Sequence, residues 1–222
     1  LVLIISIEEG EAEFALVRRY GMDFISRIAT TIAGKREEKE HEASAKEFFD
    51  KVAKNVAEAK ERHEVEGVII AGPGFAKETL MAMLKKEYPE VAAVCMLESI
   101  GSGGKTGVHE VLKRGAVEKV AKESRISLET RLVERIFAEV AKDSGLSTYG
   151  VNEVKKAIAY GAVEKLLVCD TQLRTDSGID KIMRDVKKAG GEVVIVSTEH
   201  EAGERLDSIG GMATILRFKV SG

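Results

Sequence analysis

Two consecutive α/β units are the architecture this 222-residue chain predicts: a mixed-sheet unit over residues 1–124 and a smaller αβα sandwich over residues 125–222. Short runs rich in branched apolar residues alternate with longer stretches at helical spacing, the alternation that layers helices on a sheet. Glycine and proline punctuate the joins. At Ser124-Arg125 the helical pattern starts afresh, which places the boundary there.

Leu1-Val2-Leu3-Ile4-Ile5-Ser6-Ile7 is apolar at both parities and predicts a buried strand. Glu8-Glu9-Gly10-Glu11 turns the chain into strands over 13–19 and 22–30, joined at Tyr20-Gly21, so the opening is a three-stranded meander. Residues 33–42 (AGKREEKEHE) mix both charges without periodicity and predict a mobile loop. Ser44-Ala45-Lys46-Glu47 has the form of a capping box, opening a helix to about Arg62 with Phe48, Phe49, Val52 and Val56 inward. A strand over 67–71, a tight turn at Gly72-Pro73-Gly74-Phe75 and a helix over 76–87, stopped by Tyr88-Pro89, come next. A strand over 91–97, a glycine loop and a helix from Thr106 to about Glu123 complete the unit. The order βββαβαβα is that of RNase H-like folds.

In the second unit, Leu128, Leu132, Val133, Ile136, Phe137 and Val140 give one amphipathic helix to about Lys142. Ser147-Thr148 is expected to cap the next, with Val151, Val154, Ala157 and Ile158 inward and Tyr160-Gly161 closing it. A strand over 165–169, a polar loop over 170–177, a helix from about Gly178 to Ala189, a strand over 192–196, a short helix near 203–206 and a strand over 213–218 follow. The paired glycines of Ile209-Gly210-Gly211-Met212 suit a tight turn before the last strand.

A composition of 44% apolar and 32% charged residues is that of an ordinary globular chain. No apolar run approaches the roughly 18 residues of a membrane span, and the first seven residues lack the basic flank of a signal peptide, so no membrane association is expected. The chain starts in mid-strand without methionine, which predicts a segment of a longer protein. Nineteen basic residues face 22 acidic ones in 1–124, and 15 face 15 in 125–222. The overall field therefore does not drive binding to nucleic acid, and any RNA contact must be local. Cys95 and Cys169 lie in apolar strand-like runs and predict buried, reduced thiols of an intracellular protein. His41, His63, His109 and His200 lack the close spacing with Cys, Asp or Glu that zinc sites use, so no structural metal is expected.

The stretch Val91–Leu112 carries the strongest chemical signal: an apolar run, then Gly101, Ser102, Gly103, Gly104, Lys105 and Thr106. Gly104-Lys105-Thr106 has the end of a phosphate loop, but the leading glycine is replaced by Ser99, and a solvated loop meeting a partner is the favoured assignment. A ribonuclease H-type active site would need carboxylates converging from the first strand, the first helix and a later strand. LVLIISI offers none, and Glu47 and Glu98 are accounted for as a helix cap and a strand-end acid. Among the basic residues of the charged loop, Lys35 and Arg36 are candidates to touch RNA or a partner alongside Gly103, Gly104 and Lys105.

AGPGFAKE (Ala71–Glu78), SGGKTGVHEVL (Ser102–Leu112), YGVNEVKKAIAYGAVEKLLVCD (Tyr149–Asp170) and AGERLDSIGGMATILRF (Ala202–Phe218) together resemble the archaeal Pelota family, the ribosome-rescue paralogue of class 1 release factors. The resemblance covers essentially the whole chain, as central and C-terminal domains. It implies an adaptor that enters the empty A site of stalled ribosomes, contacts ribosomal RNA, is delivered by a translational GTPase of the elongation-factor type and acts with an ABC-type ATPase that splits the subunits. It further implies a monomeric, cytoplasmic factor of no-go and nonstop mRNA decay. Metal-dependent endoribonuclease activity belongs, on this resemblance, to an N-terminal Sm-like domain absent from this sequence, so no catalytic residue and no cofactor is assigned to the segment, and a divalent metal cation only to the full-length family. Release factors carry Gly-Gly-Gln; here Gly103-Gly104 is followed by Lys105 and no Gly-Gly-Gln occurs, so peptide release does not carry over. The second unit also resembles the kink-turn-binding ribosomal proteins, whose helix start Gly-x-Asn-Glu-x-x-Lys is matched by Gly150, Asn152, Glu153 and Lys156, a candidate RNA or partner contact. The competing assignment is an enzyme, either a phosphate-loop nucleotide hydrolase or a metal-dependent endoribonuclease.

Overall fold

The computed structural model describes residues 1–31, 38–175 and 178–220, with backbone only for residues 38, 39, 174 and 175. It forms two compact units, Leu1–Ser124 and Arg125–Gly222. No helix among the described residues is long and apolar enough to cross a membrane.

In the first unit β1 (Val2–Glu8), β2 (Glu11–Arg18) and β3 (Gly21–Ala29) form the antiparallel meander, with Val2 opposite Val17 and Glu11 opposite Ala29. Helix α1 (Glu38–His63) leads into β4 (Gly67–Gly72), which lies parallel to β1. Helices α2 (Ala76–Glu87) and α3 (Pro89–Ala92) precede β5 (Cys95–Ser99), parallel to β4, and α4 (Gly104–Lys113) follows it. The strand order is β3-β2-β1-β4-β5. Leu3, Ile5 and Ile7 of β1 pack toward Phe48, Val52 and Val56 of α1 and Leu80 and Leu84 of α2. Val2 and Ile4 pack the other way, with Val108 and Val111 of α4 and Val120 of α5 (Ala116–Ala141). Both faces of β1 are covered, which is why its sequence is apolar at both parities.

The second unit contains β6 (Ser147–Tyr149), α6 (Val151–Ala159), β7 (Val163–Cys169), α7 (Gln172–Thr175), α8 (Ile179–Lys188), β8 (Glu192–Val196), α9 (Glu201–Ser208) and β9 (Met212–Leu216), in the strand order β6-β9-β7-β8. Leu166 and Val168 of β7 face α6 and α8, whereas Leu167 and Cys169 face α5 and α9. The unit is thus a three-layer αβα sandwich.

Several boundaries differ from expectation. Helix α1 begins at Glu38, inside the segment expected to be a loop, so Ser44 is an interior residue whose hydroxyl donates to the His41 carbonyl (3.1 Å) and is no capping box. The apolar run over 91–97 is divided between α3 and β5, because Pro89, with its fixed φ, sits at the start of a helical turn and carries Val91 and Ala92 into it. The helix expected over 106–123 is two helices, broken at Gly115, whose φ of +70° is left-handed. Ser124 interrupts nothing locally, since α5 runs through it. Ser147-Thr148 is not a helix cap but part of β6: Thr148 pairs with Thr214, and the Ser147 hydroxyl donates to the Thr214 carbonyl (2.9 Å). The polar loop over 170–177 contains the short α7. Burial pushes both thiols up to about 12, with Cys169 fully buried and Cys95 half-buried.

Candidate functional site

The glycine stretch sits between an edge strand and a helix start, as the sequence suggests, but the helix claims more of it. Gly103 is the N-cap of α4, and Gly104, at φ +59°, already belongs to the helix. The turn closes through Gly107 N–H donating to the Gly103 carbonyl (3.1 Å). Lys105 is therefore not the tip of a free loop. Its ammonium lies 4.9 Å from the centroid of the Phe24 ring on β3, and the same ring meets His109 edge-on at 6.0 Å. Lys105 itself remains exposed.

Two residues that the sequence did not single out hold this loop. The Glu110 carboxylate accepts the Gly101 N–H (3.0 Å) and pairs with Arg114 (2.5 Å), and Arg114 donates to the Ser99 carbonyl (2.7 Å). Loop and helix are tied together within one turn. Arg114→Ala should leave the unit folded but accelerate hydrogen exchange at Gly101 by about tenfold, the equivalent of one lost charge-assisted bond. Unchanged exchange would show the loop holds without it.

The N-terminus of α4 also has in-chain carboxylates beside it. A Cβ built on Gly103 would lie 2.5 Å from Glu8 Cδ, and one on Gly104 3.4 Å from Glu11 Oε1. Carboxylates occupy the surroundings into which a triphosphate would have to fit, so the geometry disfavours a phosphate loop. Among the described residues, no three His, Cys, Asp or Glu side chains converge into a metal site.

Lys35 and Arg36 lie outside the described residues. The remaining sequence-derived candidates belong to the second unit. Gly150, at φ +82°, turns the chain from β6 into α6 without a side-chain cap, its N–H donating to the Met212 carbonyl (3.0 Å). Asn152, Glu153 and Lys156 are exposed on the first turns of α6. Lys156 pairs with Glu153 (2.8 Å), and that hydrogen bond raises the lysine's pKa. Lys156 is thus engaged locally, which blunts its value as a free phosphate ligand.

Two features escaped the sequence. Phe75 is 84% exposed on the Pro73-Gly74-Phe75 turn, beside a pocket of about 430 Å³ lined by Glu9, Phe49, Pro73 and Thr79. Buried Lys77 donates to the Gly74 carbonyl (2.5 Å), so the turn displaying Phe75 is anchored. The second is the carboxylate of Glu129, 1% exposed, which accepts from Arg125 (2.5 Å), the Ser197 N–H (2.9 Å) and His200 (2.7 Å). The signal for it was present: Glu129 falls three and four residues before Leu132 and Val133, on the apolar stripe of α5.

Comparison with known proteins places this pair of units in the class of translation-termination-type factors. A family model described as eRF1 domain 2 matches residues 1–123, and one described as eRF1 domain 3 matches residues 126–220. A protein pelota homolog of Thermococcus gammatolerans is 46% identical over 221 residues, covering 99% of this chain and 62% of the relative. A solved model of ribosome-bound archaeal Pelota and ABCE1 is 41% identical with a TM-score of 0.79, covering 100% of this chain and 62% of that one. The crystal structure of Archaeoglobus fulgidus Pelota is 35% identical with a TM-score of 0.62, covering 100% and 65%. The chain belongs to the eRF1 family, in its Pelota branch, and comprises the central and C-terminal domains. It spans 62% of the length of the first relatives it matches.

Proposed function

We propose that this chain is the two-domain core of a cytoplasmic ribosome-rescue and mRNA-surveillance adaptor. It enters the A site of stalled ribosomes with an elongation-factor-type GTPase, then promotes subunit dissociation with an ABC-type ATPase, feeding no-go and nonstop decay. The observation that supports this is the match, across the whole of this chain and 62% of the other at 41% identity, to a Pelota solved on the ribosome with ABCE1. The contribution of these residues is geometric: anchored surface loops presented to RNA and protein, with no Gly-Gly-Gln for peptide release. Gly103, Gly104 and Lys105 form the first contact surface and Gly150, Asn152, Glu153 and Lys156 the second, with Lys35 and Arg36, outside the described residues, as further candidates to touch RNA or a partner. The carboxylates beside α4 and the pinned Lys105 support this over nucleotide hydrolysis.

The test mixes the chain with ribosomes stalled on a truncated message, the GTP-bound GTPase and the ATPase. The expected result is GTPase-dependent co-sedimentation, subunit separation on a sucrose gradient, and peptidyl-tRNA that stays esterified. Absence of co-sedimentation, or released peptide, would overturn the reading.

A further inference from the structure

The second unit has no net charge, yet its charge is divided across its sheet. The α6 and α8 layer carries Lys155, Lys156, Lys181, Arg184, Lys187 and Lys188 against the acids Glu153, Asp180 and Asp185. On the opposite side, α9 carries Glu201, Glu204 and Asp207 against Arg205 alone. All six basic residues of the first layer are exposed, and of these only Lys156 makes an ion pair among the described residues. On the other layer Arg125 and Arg135 are paired with Glu129 and Glu164, and Arg205 lies over the Phe137 ring. The α6/α8 layer thus carries six basic residues against three acids, whereas α9 carries three acids against one base and, of the α5 arginines, only Arg131 makes no ion pair among the described residues.

Helix electrostatics explains part of this division. Lys187 and Lys188 sit in the last turn of α8, where cations complement the helix dipole. It does not cover Lys181 and Arg184, which are neighbours on the outer surface of α8 at spacing i, i+3, or Lys155 on the adjoining helix. The two helices pack side by side, with Val154 and Ala157 of α6 and Ile179, Ile182 and Val186 of α8 in one core, so the outward residues share a single surface. Tyr160, 62% exposed at the end of α6, adds a flat aromatic to it. Uncompensated cations beside an exposed aromatic ring suit a nucleic-acid backbone with a base or sugar against the ring.

We infer that the outer α6/α8 face of the second unit is an RNA-backbone-binding surface, with Lys181, Arg184 and Lys155 as phosphate contacts and Tyr160 as a stacking platform. It adjoins the helix-start contact of Gly150, Asn152, Glu153 and Lys156 and uses other side chains, on α8 and the outer side of α6. The naming of ribosomal RNA as its source rests on the proposed function; the binding of RNA does not.

The probe is a fluorescein-labelled RNA hairpin, followed by anisotropy with the whole chain over about 50 to 200 mM potassium chloride. Lys181→Ala/Arg184→Ala should weaken binding about tenfold at the low-salt end and flatten the dependence of log K on log salt by about 2, one for each phosphate contact removed. Arg131→Ala, an exposed basic residue on α5, serves as the control and should leave both unchanged. An unaltered salt dependence in the double variant, or equal loss in the control, would overturn the assignment. Loss of GTPase binding with RNA binding intact would overturn it in favour of a protein partner. Co-sedimentation with stalled ribosomes is read in parallel: if the unmodified chain fails to sediment while the hairpin result holds, the rescue reading falls and the RNA face stands.

Discussion

Glu129→Ala should cost the second unit about 3 kcal/mol, because it removes a buried acceptor shared by three donors, two of which have little access to water. Glu129 links α5 to the loop between β8 and α9: the Ser197 N–H and the His200 ring both point at one of its oxygens, and Arg125 at the other. The magnitude comes from the buried side of this set. Arg125 is 59% exposed and can return to water, so Arg125→Ala should cost under about 1 kcal/mol. The Ser197 amide and His200, 13% exposed, have no such escape. Urea denaturation followed by far-ultraviolet circular dichroism measures both variants, and a loss below about 1 kcal/mol for Glu129→Ala would refute the assignment of Glu129 as a keystone.

The same carboxylate sets a pH dependence. Burial pushes its pKa up, but hydrogen bonds from His200, Ser197 and Arg125, with the arginine's charge, outweigh burial and hold it below the usual 4.5. A carboxylate whose folded pKa is depressed stabilises above its unfolded value, and that stabilisation fades as pH falls through the folded one. Unmodified protein should therefore lose stability below pH 4.5 more steeply than Glu129→Gln, whose side chain does not titrate. Matching acid limbs for the two proteins would remove Glu129 from the account.

The central strands were legible because burial on both faces leaves an apolar run: β1 and the Leu166–Cys169 part of β7 are apolar at both parities, and each is covered by helices on two sides, although a similar run over 91–97 is shared with the helix α3. Boundaries were less legible where tertiary contacts overrule local chemistry. Ser44 has the residues of a capping box, yet the helix extends a further turn and more upstream. Ser147-Thr148 has cap residues, yet β9 supplies a ladder for them to join. For the candidate sites, residue types were readable and their engagement was not. Nothing in the order of residues says that Lys105 of α4 lies over Phe24 of β3, that Arg114 holds Ser99, or that Lys181 makes no ion pair among the described residues. The Lys105 and Arg114 contacts depend on pairings between distant segments, which single-sequence periodicity does not encode, whereas the Lys156–Glu153 pair, at i, i+3 on one helix, was within reach of the spacing alone.

Gly107→Ala offers a sharp separation of helix propensity from packing. Alanine in place of glycine inside an exposed helix gains about 1 kcal/mol. Here a Cβ would lie 2.3 Å from the buried Ser6 hydroxyl, 2.4 Å from the Ser102 carbonyl oxygen and 2.7 Å from Ile100 Cδ1. The first and last could shift a little, but the Ser102 carbonyl is backbone of the glycine loop itself. To make room, α4 must lift from β1 or the loop must open, at a cost of roughly 3 kcal/mol or more for overpacking, leaving the variant about 2 kcal/mol less stable after the propensity gain. The matched control is Gly101→Ala, where the added methyl meets only Glu110 Oε2 at 3.8 Å and φ is not left-handed; it should change stability by less than about 0.5 kcal/mol. Because the displaced Ser102 carbonyl and Ile100 side chain flank Gly101, whose N–H donates to Glu110, Gly107→Ala should also raise exchange at Gly101, whereas a purely global destabilisation would raise exchange equally across β1 and β4. A Gly107→Ala protein as stable as the parent would mean that α4 does not approach β1 as closely as the Ser6 contact requires, and the anchored loop on which the first contact surface depends would lose its foundation.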